Sequence, residues 1–312
     1  MMKKALAMCL VAAAPFVATA AEKKLVVGFS QIGAESAWRT AETESIKATA
    51  AERGIDLKFS DAQGKQENQI KAIRSFIAQK VDGIIIAPVV ETGWEPVLKE
   101  AKKAKIPVVL VDRGIKVSDD SLYTTLIASD FVFEGQEAAK WLAGSTGGKA
   151  TIVELQGTPG AAPAIDRKKG FEQGIAAHPE MKIIKSQTGN FNRADGKAVM
   201  EAFLKSDGEK ITAVYAHNDD MALGAIQAIE AYGKQPGKDI LLISIDGVKG
   251  AFEAMVSGKL NATVECNPLL GPLAFDAVAK AKKGEQLPKW TKQVDQTFTA
   301  DRAAEVMPSR KY

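Results

Sequence analysis

Residues 83–113 read GIIIAPVVETGWEPVLKEAKKAKIPVVLVDR. Gly83–Ala87 and Val108–Val111 are short Val/Ile-rich runs, apolar on both faces, as strands of a covered parallel sheet are. The stretch between them is rich in Ala, Glu and Lys, and Trp94 stands just before Pro96, where it packs a helix start. A strand, a helix and a second strand closing on Asp112-Arg113 form a βαβ unit, whose crossover joins parallel strands.

The same unit recurs in both directions. Further runs lie at Leu25–Phe29, Ile55–Phe59, Thr151–Leu155, Ile183–Lys185, Ala213–Ala216 and Ile240–Ile245. Between them apolar residues keep helical spacing, as at Ile70, Ile73, Ile77 and Val81, and at Met221, Ala225, Ala228 and Ile229. The residues closing the first four runs, Ser30, Asp61, Ala87 and Asp112, are 31, 26 and 25 apart. Those closing the next four, Leu155, Gln187, Ala216 and Asp246, are 32, 29 and 30 apart. Two sets of four units predict an α/β fold of two similar lobes with parallel sheets. No Pro/Gly/Ser-rich linker divides them, so several ordered strands are expected to join them.

Composition excludes other classes. The 312 residues are 46% apolar and 25% charged, which no disordered, collagen-like or disulfide-stapled chain would be. With 41 basic and 38 acidic residues the net charge is +3, giving no electrostatic reason to expect a nucleic-acid partner. Met1–Lys4 is basic, Ala5–Val17 is small or apolar, and Ala18-Thr19-Ala20 is an A-x-A cleavage signature. Residues 1–20 therefore read as a secretory signal peptide, too short to span a bilayer, cleaved after Ala20. Its removal takes Lys3, Lys4 and Cys9, leaving 39 − 38 = +1 and Cys266 as the sole cysteine. One cysteine forms no internal disulfide, so stability must come from the core. The expected compartment is the periplasm.

Open α/β sheets bind ligands past the carboxyl ends of their strands. Just past the first run come Ser30, Gln31, Glu35, Trp38 and Arg39, and past the fourth come Asp112 and Arg113. The second lobe offers Arg167, Phe191, Asn218, Asp219 and Asp246. Carboxylates, guanidinium groups, an amide and aromatic rings suit a small polyhydroxylated ligand, because a hydroxyl both donates and accepts while a ring covers C–H faces. Simpler readings exist: Asp246-Gly247 as an Asx turn, and Asn218-Asp219 as a helix N-cap, with Asp219 mainly capping and Asn218 mainly binding.

Enzyme signatures fail. His178 and His217 have no metal-site spacing, and no G-x-S-x-G elbow is present. Gly144–Lys149 looks like a phosphate loop, but Ala150 replaces the required Ser/Thr and the stretch precedes a strand. Cys266 reads as a small buried filler.

Six motifs in order carry a resemblance over the whole mature chain: VVGFSQIGAESAWRTAE, DAQGKQENQIKAIRSFIAQKVDGIIIAPV, IPVVLVDR, AIDRKKGF, YAHNDDMALGAIQAI and ISIDG. They resemble the periplasmic sugar-binding proteins of ABC importers, of the ribose/galactose type. The resemblance implies a type I periplasmic binding protein: two Rossmann-like lobes joined by three crossovers, with sugar in the cleft. The crossovers are expected near Ile127–Ser129, Val264–Asn267 and Asp295–Thr297. That gives an N-terminal lobe of 21–127 plus 267–295 and a C-terminal lobe of 128–266 plus 296–312. Carried over, Asp112, Arg113, Arg167, Phe191, Asn218 and Asp246 match the family's sugar contacts. Trp38 and Arg39 fall where ribose binders carry two aromatics, and Cys266 where they carry a glutamine. With Glu35, Arg39 is similar to the galactofuranose-type pattern instead.

The resemblance implies a receptor that closes on a monosaccharide and delivers it to an inner-membrane ABC permease with its cytoplasmic ATPase. It implies a monomer with no cofactor and no catalysis. Galactofuranose is the expected sugar, with ribose, arabinose and galactose as alternatives. A sugar-responsive regulator would need a DNA-binding head before the first strand, where the reading leaves no room. A carbohydrate enzyme could use Asp112 and Asp246 as an acid/base pair, but adjacent arginines are expected to hold both ionised.

Overall fold

Alternation inside the apolar runs decides which layer each side chain joins. Successive strand residues point to opposite faces, so a run apolar throughout needs cover on both. In the computed structural model, which describes residues 24–312, this is how the runs are used. Ile84, Ile86, Val108 and Leu110 pack with Trp94, Val97 and Leu98 on one side of their sheet. Ile85, Val109 and Val111 pack with Ile46, Phe275 and Val278 on the other. The expected signal peptide lies outside the described residues, among which no helix is long and apolar enough to cross a membrane.

All eight anticipated runs are strands. The first sheet holds β1 (Val26–Gln31), β2 (Asp56–Asp61), β3 (Gly83–Ile86) and β4 (Val108–Val111), with β5 (Thr125–Ala128) and β11 (Trp290–Lys292). Its order is β11-β5-β4-β3-β1-β2. The second holds β6 (Lys149–Gln156), β7 (Glu180–Thr188), β8 (Ala213–Ala216) and β9 (Leu241–Asp246), with β10 (Ala262–Glu265) and β12 (Thr297–Thr299). Its order, β12-β10-β9-β8-β6-β7, repeats the first. Pairing is parallel except between β10 and β12.

The chain passes between lobes three times. It leaves β5 for α4 (Phe131–Thr146), which packs in the second lobe, and leaves β10 for α9 (Gly271–Lys282), which packs in the first. The third passage, 293–296, runs from β11 to β12. Type I two-lobe architecture with three crossovers is the fold observed.

Two local arrangements position the side chains of the cleft. Ser36 caps α1 (Ala37–Glu52) by accepting from the Arg39 N–H, which puts Trp38 and Arg39 in the first turn. In the second lobe α4 crosses α5 (Ala162–Ile175) with the backbones close. A Cβ on Gly135 would lie 2.3 Å from the Arg167 carbonyl oxygen, and one on Gly170 would lie 2.1 Å from that of Val132. Only glycine permits this approach, and it sets Glu134 of α4 beside Arg167 of α5.

Candidate functional site

The carboxyl ends of both sheets face one another across a cleft. The lobes touch there: the Ala37 N–H donates to Asp220 Oδ2 at 2.7 Å, and the Glu91 N–H donates to the Gly160 carbonyl at 3.0 Å. Between these contacts lies a small cavity. All nine expected residues line it: Glu35, Trp38, Arg39, Asp112, Arg113, Arg167, Phe191, Asn218 and Asp246. Ser36, Pro163 and Cys266 complete the wall.

The first-lobe wall is an ionic network. Arg39 donates to Glu35 Oε1 at 3.1 Å, to Glu42 Oε2 at 2.5 Å and to Asp112 Oδ2 at 2.6 Å. Glu42, wholly buried, also accepts from Gln31 Nε2 at 2.9 Å. Arg113 donates to the Val89 carbonyl and keeps longer contacts, 3.6 Å each, to Glu35 and Asp112. Burial, with repulsion from Arg39, lowers Arg113 to about 10. Burial pushes Glu35 up, but Arg39 and Arg113 outweigh it and hold the carboxyl below its usual value. Among the cavity-lining residues two buried atoms have no hydrogen-bond partner among the described residues, Glu35 Oε2 and Arg113 Nε. One is an acceptor and the other a donor.

The second-lobe wall is built around Arg167. Its Nε donates to Glu134 Oε2 at 2.7 Å and its Nη1 to the His217 carbonyl at 2.7 Å, while Nη2 lies 3.6 Å from Asp246 Oδ1. Burial pushes Glu134 up to about 8 despite Arg167. Phe191 lies between the two arginines, its centroid 5.2 Å from the Arg113 guanidinium and 5.9 Å from that of Arg167. The Trp38 indole donates to the Cys266 carbonyl at 2.6 Å, so its ring face, not its N–H, is what it offers the cavity.

Three lining residues hold positive φ without being glycine: Asp112 at 61°, Phe191 at 59° and Asp246 at 131°. Such backbones persist only where the surroundings over-determine them, and they cluster at binding sites. At Asp246 the surroundings are visible: its carbonyl accepts from the Cys266 N–H, and Asp219 accepts from the N–H groups of Gly247 and Val248.

Several readings need correction. Asn218, not Asp219, caps its helix, α7 (Asp219–Ala231): Asn218 Oδ1 accepts from the Met221 N–H, and Nδ2 donates to the Phe191 carbonyl. Asp219 instead holds the Gly247-Val248 turn and accepts from Ser244 and Thr263. Ser30, Gln31 and Asp219 stand behind the wall. At 3.6 Å the attraction of Arg167 for Asp246 is weaker than the cost of burial, which raises the Asp246 carboxyl well above its ordinary value, against the expectation that the arginine dominates. Trp94 is buried at the start of α3 (Glu95–Lys103) as expected, donating to the Val90 carbonyl. His217 is a buried core group: Nδ1 accepts from the Gly157 N–H, so Nε2 carries the proton toward Glu154. Among the described residues no His/Cys/Asp/Glu cluster could hold a metal ion.

Sequence reading missed the supports Glu42 and Glu134. The three-residue step from Arg39 to Glu42 is a recognisable helical ion-pair spacing. Nothing local connects Glu134 to Arg167.

Comparison with known proteins agrees with this architecture. The galactofuranose-binding protein YtfQ of Escherichia coli (strain K12) is 55% identical over 291 residues, covering 92% of each chain. A solved structure of the periplasmic binding component of an arabinose ABC transporter from Shewanella sp. ANA-3, bound to α- and β-L-arabinofuranose, superposes with a TM-score of 0.90. It is 59% identical and covers 92% of this chain and 95% of that one. A Mycobacterium smegmatis structure in complex with β-D-fucofuranose gives a TM-score of 0.89 at 52% identity, covering 92% and 95%. Residues 27–286 match the periplasmic binding protein domain. The chain belongs to the periplasmic binding protein family, among the sugar-binding members that serve ABC transporters.

Proposed function

We propose that this protein captures a monosaccharide in its five-membered-ring form, galactofuranose foremost, and hands it to an inner-membrane ABC permease with its cytoplasmic ATPase. It does so as a periplasmic monomer, after signal-peptide cleavage near Ala20, without making or breaking a bond. The lobes comprise 21–127 with 267–295 and 128–266 with 296–312, and they close on the sugar. Glu35, Trp38, Arg39, Asp112, Arg113, Arg167, Phe191, Asn218 and Asp246 are the contacts.

The observation that carries the reading is the buried pair of unpartnered atoms, Glu35 Oε2 and Arg113 Nε, on the first-lobe wall. Leaving such groups unpaired costs about 1–3 kcal/mol each, and a hydroxyl satisfies either one. A hexofuranose brings an exocyclic diol beyond its ring, whereas ribofuranose brings one exocyclic hydroxyl. The relatives named above bind galactofuranose, L-arabinofuranose and β-D-fucofuranose, all five-membered rings. The 59% identity to the arabinofuranose-bound structure supports L-arabinofuranose as a second reading.

Calorimetry with ribose, arabinose, galactose and methyl galactofuranoside tests this. The galactofuranoside should bind at least about tenfold tighter than ribose. Free galactose should be weakened by its small furanose fraction. Ribose binding as tightly as the best hexose overturns the reading, and arabinose outranking the galactofuranoside selects the second. Mass spectrometry of ligand released from freshly purified protein gives an independent answer.

A further inference from the structure

Beyond β12, the segment 307–312 folds back over the second lobe. Arg310 there is nearly buried, its side chain 9% exposed. Its Nη1 donates to Glu265 Oε1 at 2.6 Å and its Nη2 to the Gly247 carbonyl at 2.9 Å. Tyr312 donates from its hydroxyl to the same Glu265 oxygen at 3.1 Å, and its main-chain oxygen accepts from the Lys249 N–H at 2.7 Å. The guanidinium lies over three rings, 4.4 Å from the centroid of Tyr312, 4.9 Å from Phe298 and 5.2 Å from Phe252.

The two anchors are not arbitrary surface groups. Glu265 ends β10, pairs in register with Asp246 and leads into the second crossover. Its backbone N–H donates to the Gln296 carbonyl in the third crossover. Gly247 follows Asp246 and has φ 77°. Arg310 thus grips the turn that aims Asp246 into the cavity and, with the same guanidinium, the strand end where two crossovers meet. The Asp246 backbone, at φ 131°, is one that a non-glycine residue keeps only under constraint. Asp219 and Cys266 hold the N–H side of that turn and the Asp246 carbonyl. Arg310 holds the next carbonyl, that of Gly247.

We propose that Arg310, locked by Glu265 and Tyr312, is a positioning residue for sugar binding that fixes the Asp246-Gly247 turn in its cavity-facing form and ties it to the crossovers. It touches no sugar and acts through Asp246. The inference rests on the sugar-binding reading of the cavity.

The test combines affinity with hydrogen exchange. Arg310→Ala should weaken binding of methyl galactofuranoside by about tenfold or more, and Arg310→Lys should recover part of it. In the sugar-free protein Arg310→Ala should speed exchange at the amides of Gly247, Val248 and Lys249, while β6 and β8 stay protected. In an Asp246→Asn background the same substitution should change affinity less than about twofold, because both act on one contact. Binding by Arg310→Ala within twofold of the unaltered protein overturns the proposal. So does an equal loss in the Asp246→Asn background, which would mark Arg310 as a general stabiliser. Should Arg310→Ala not fold, Tyr312→Phe carries the test, with an expected loss of about threefold and faster exchange at the same three amides. If the unaltered protein binds no furanose, the reading of the cavity fails. The exchange result still decides whether Arg310 holds the turn.

Discussion

Asp112 Oδ2 lies 2.6 Å from Arg39 Nη2 and 3.6 Å from Arg113 Nε, so one carboxylate oxygen faces two guanidinium groups and hydrogen-bonds only the first. Arg39 is therefore committed to the wall, and Arg113 retains a donor for a guest. The two lobes differ in this respect, because Arg167 is tied to Glu134 and to a backbone carbonyl.

That difference separates two substitutions. Arg113→Ala should weaken sugar binding by roughly 2–4 kcal/mol and leave folding stability nearly unchanged, since it removes a group repelled by Arg39. Arg167→Ala should weaken binding as much and also cost about 1–3 kcal/mol of stability for each acceptor stranded, because it leaves the buried Glu134 carboxyl and the His217 carbonyl without their donor. Calorimetry paired with urea unfolding distinguishes the outcomes. Equal stability losses would contradict the assignment.

Asp246→Gly should trade function for stability. Glycine removes the strain at φ 131°, about 1–3 kcal/mol, along with a buried carboxyl that Arg167 meets only at 3.6 Å. The expected result is a melting temperature at or above that of the unaltered protein, with affinity lowered at least about tenfold. A large fall in melting temperature would show that the carboxyl stabilises the fold.

The third crossover predicts a pH effect. Asp295 accepts from Ser129 Oγ at 3.0 Å, linking the third crossover to the first, and burial raises its carboxyl from 3.8 to about 6. A carboxyl raised on folding leaves the native state holding more protons than the unfolded chain between those values. Its contribution to stability is thus greatest below pH 4, falls as pH rises toward 6 and is flat above. Asp295→Asn should remove this slope, so the stability difference between the two proteins should change between pH 4 and 6 and stay constant from 6 to 8. Parallel curves throughout would refute it.

Closure predicts a change of shape. The interlobe bonds of Ala37 to Asp220 and of Glu91 to Gly160 span the cleft, so opening it would break both. Saturating sugar should reduce the radius of gyration in solution scattering and raise stability by about 2.7 kcal/mol at a hundredfold excess over Kd. An unchanged profile with binding confirmed would argue against a hinge.

Much of this is legible in the sequence because parallel strands buried on both faces are runs of Val and Ile, and ligand groups sit just past their ends. Val108–Val111 and Ala213–Ala216 are recognisable there to the residue. The strands β5, β10, β11 and β12 are three or four residues long and mix polar with apolar positions, so no run announces them. The family resemblance points to β5, β10 and β12, as crossovers, and nothing points to β11. The cavity wall is readable for the same reason as the strands. Its supports are not: Glu134 meets Arg167 through a helix crossing set by two glycines, and Asp219 reaches a turn on another strand. Such contacts depend on packing between distant segments.

The pairing of Trp290 with Leu126 has a consequence for the order in which the lobes are completed. The first sheet receives its last strand from a segment that follows nearly the whole second lobe in the chain. A chain growing from its amino terminus therefore cannot complete its first lobe before most of its second exists, and contacts between such distant segments form slowly. The two lobes are bound to mature together, not one after the other.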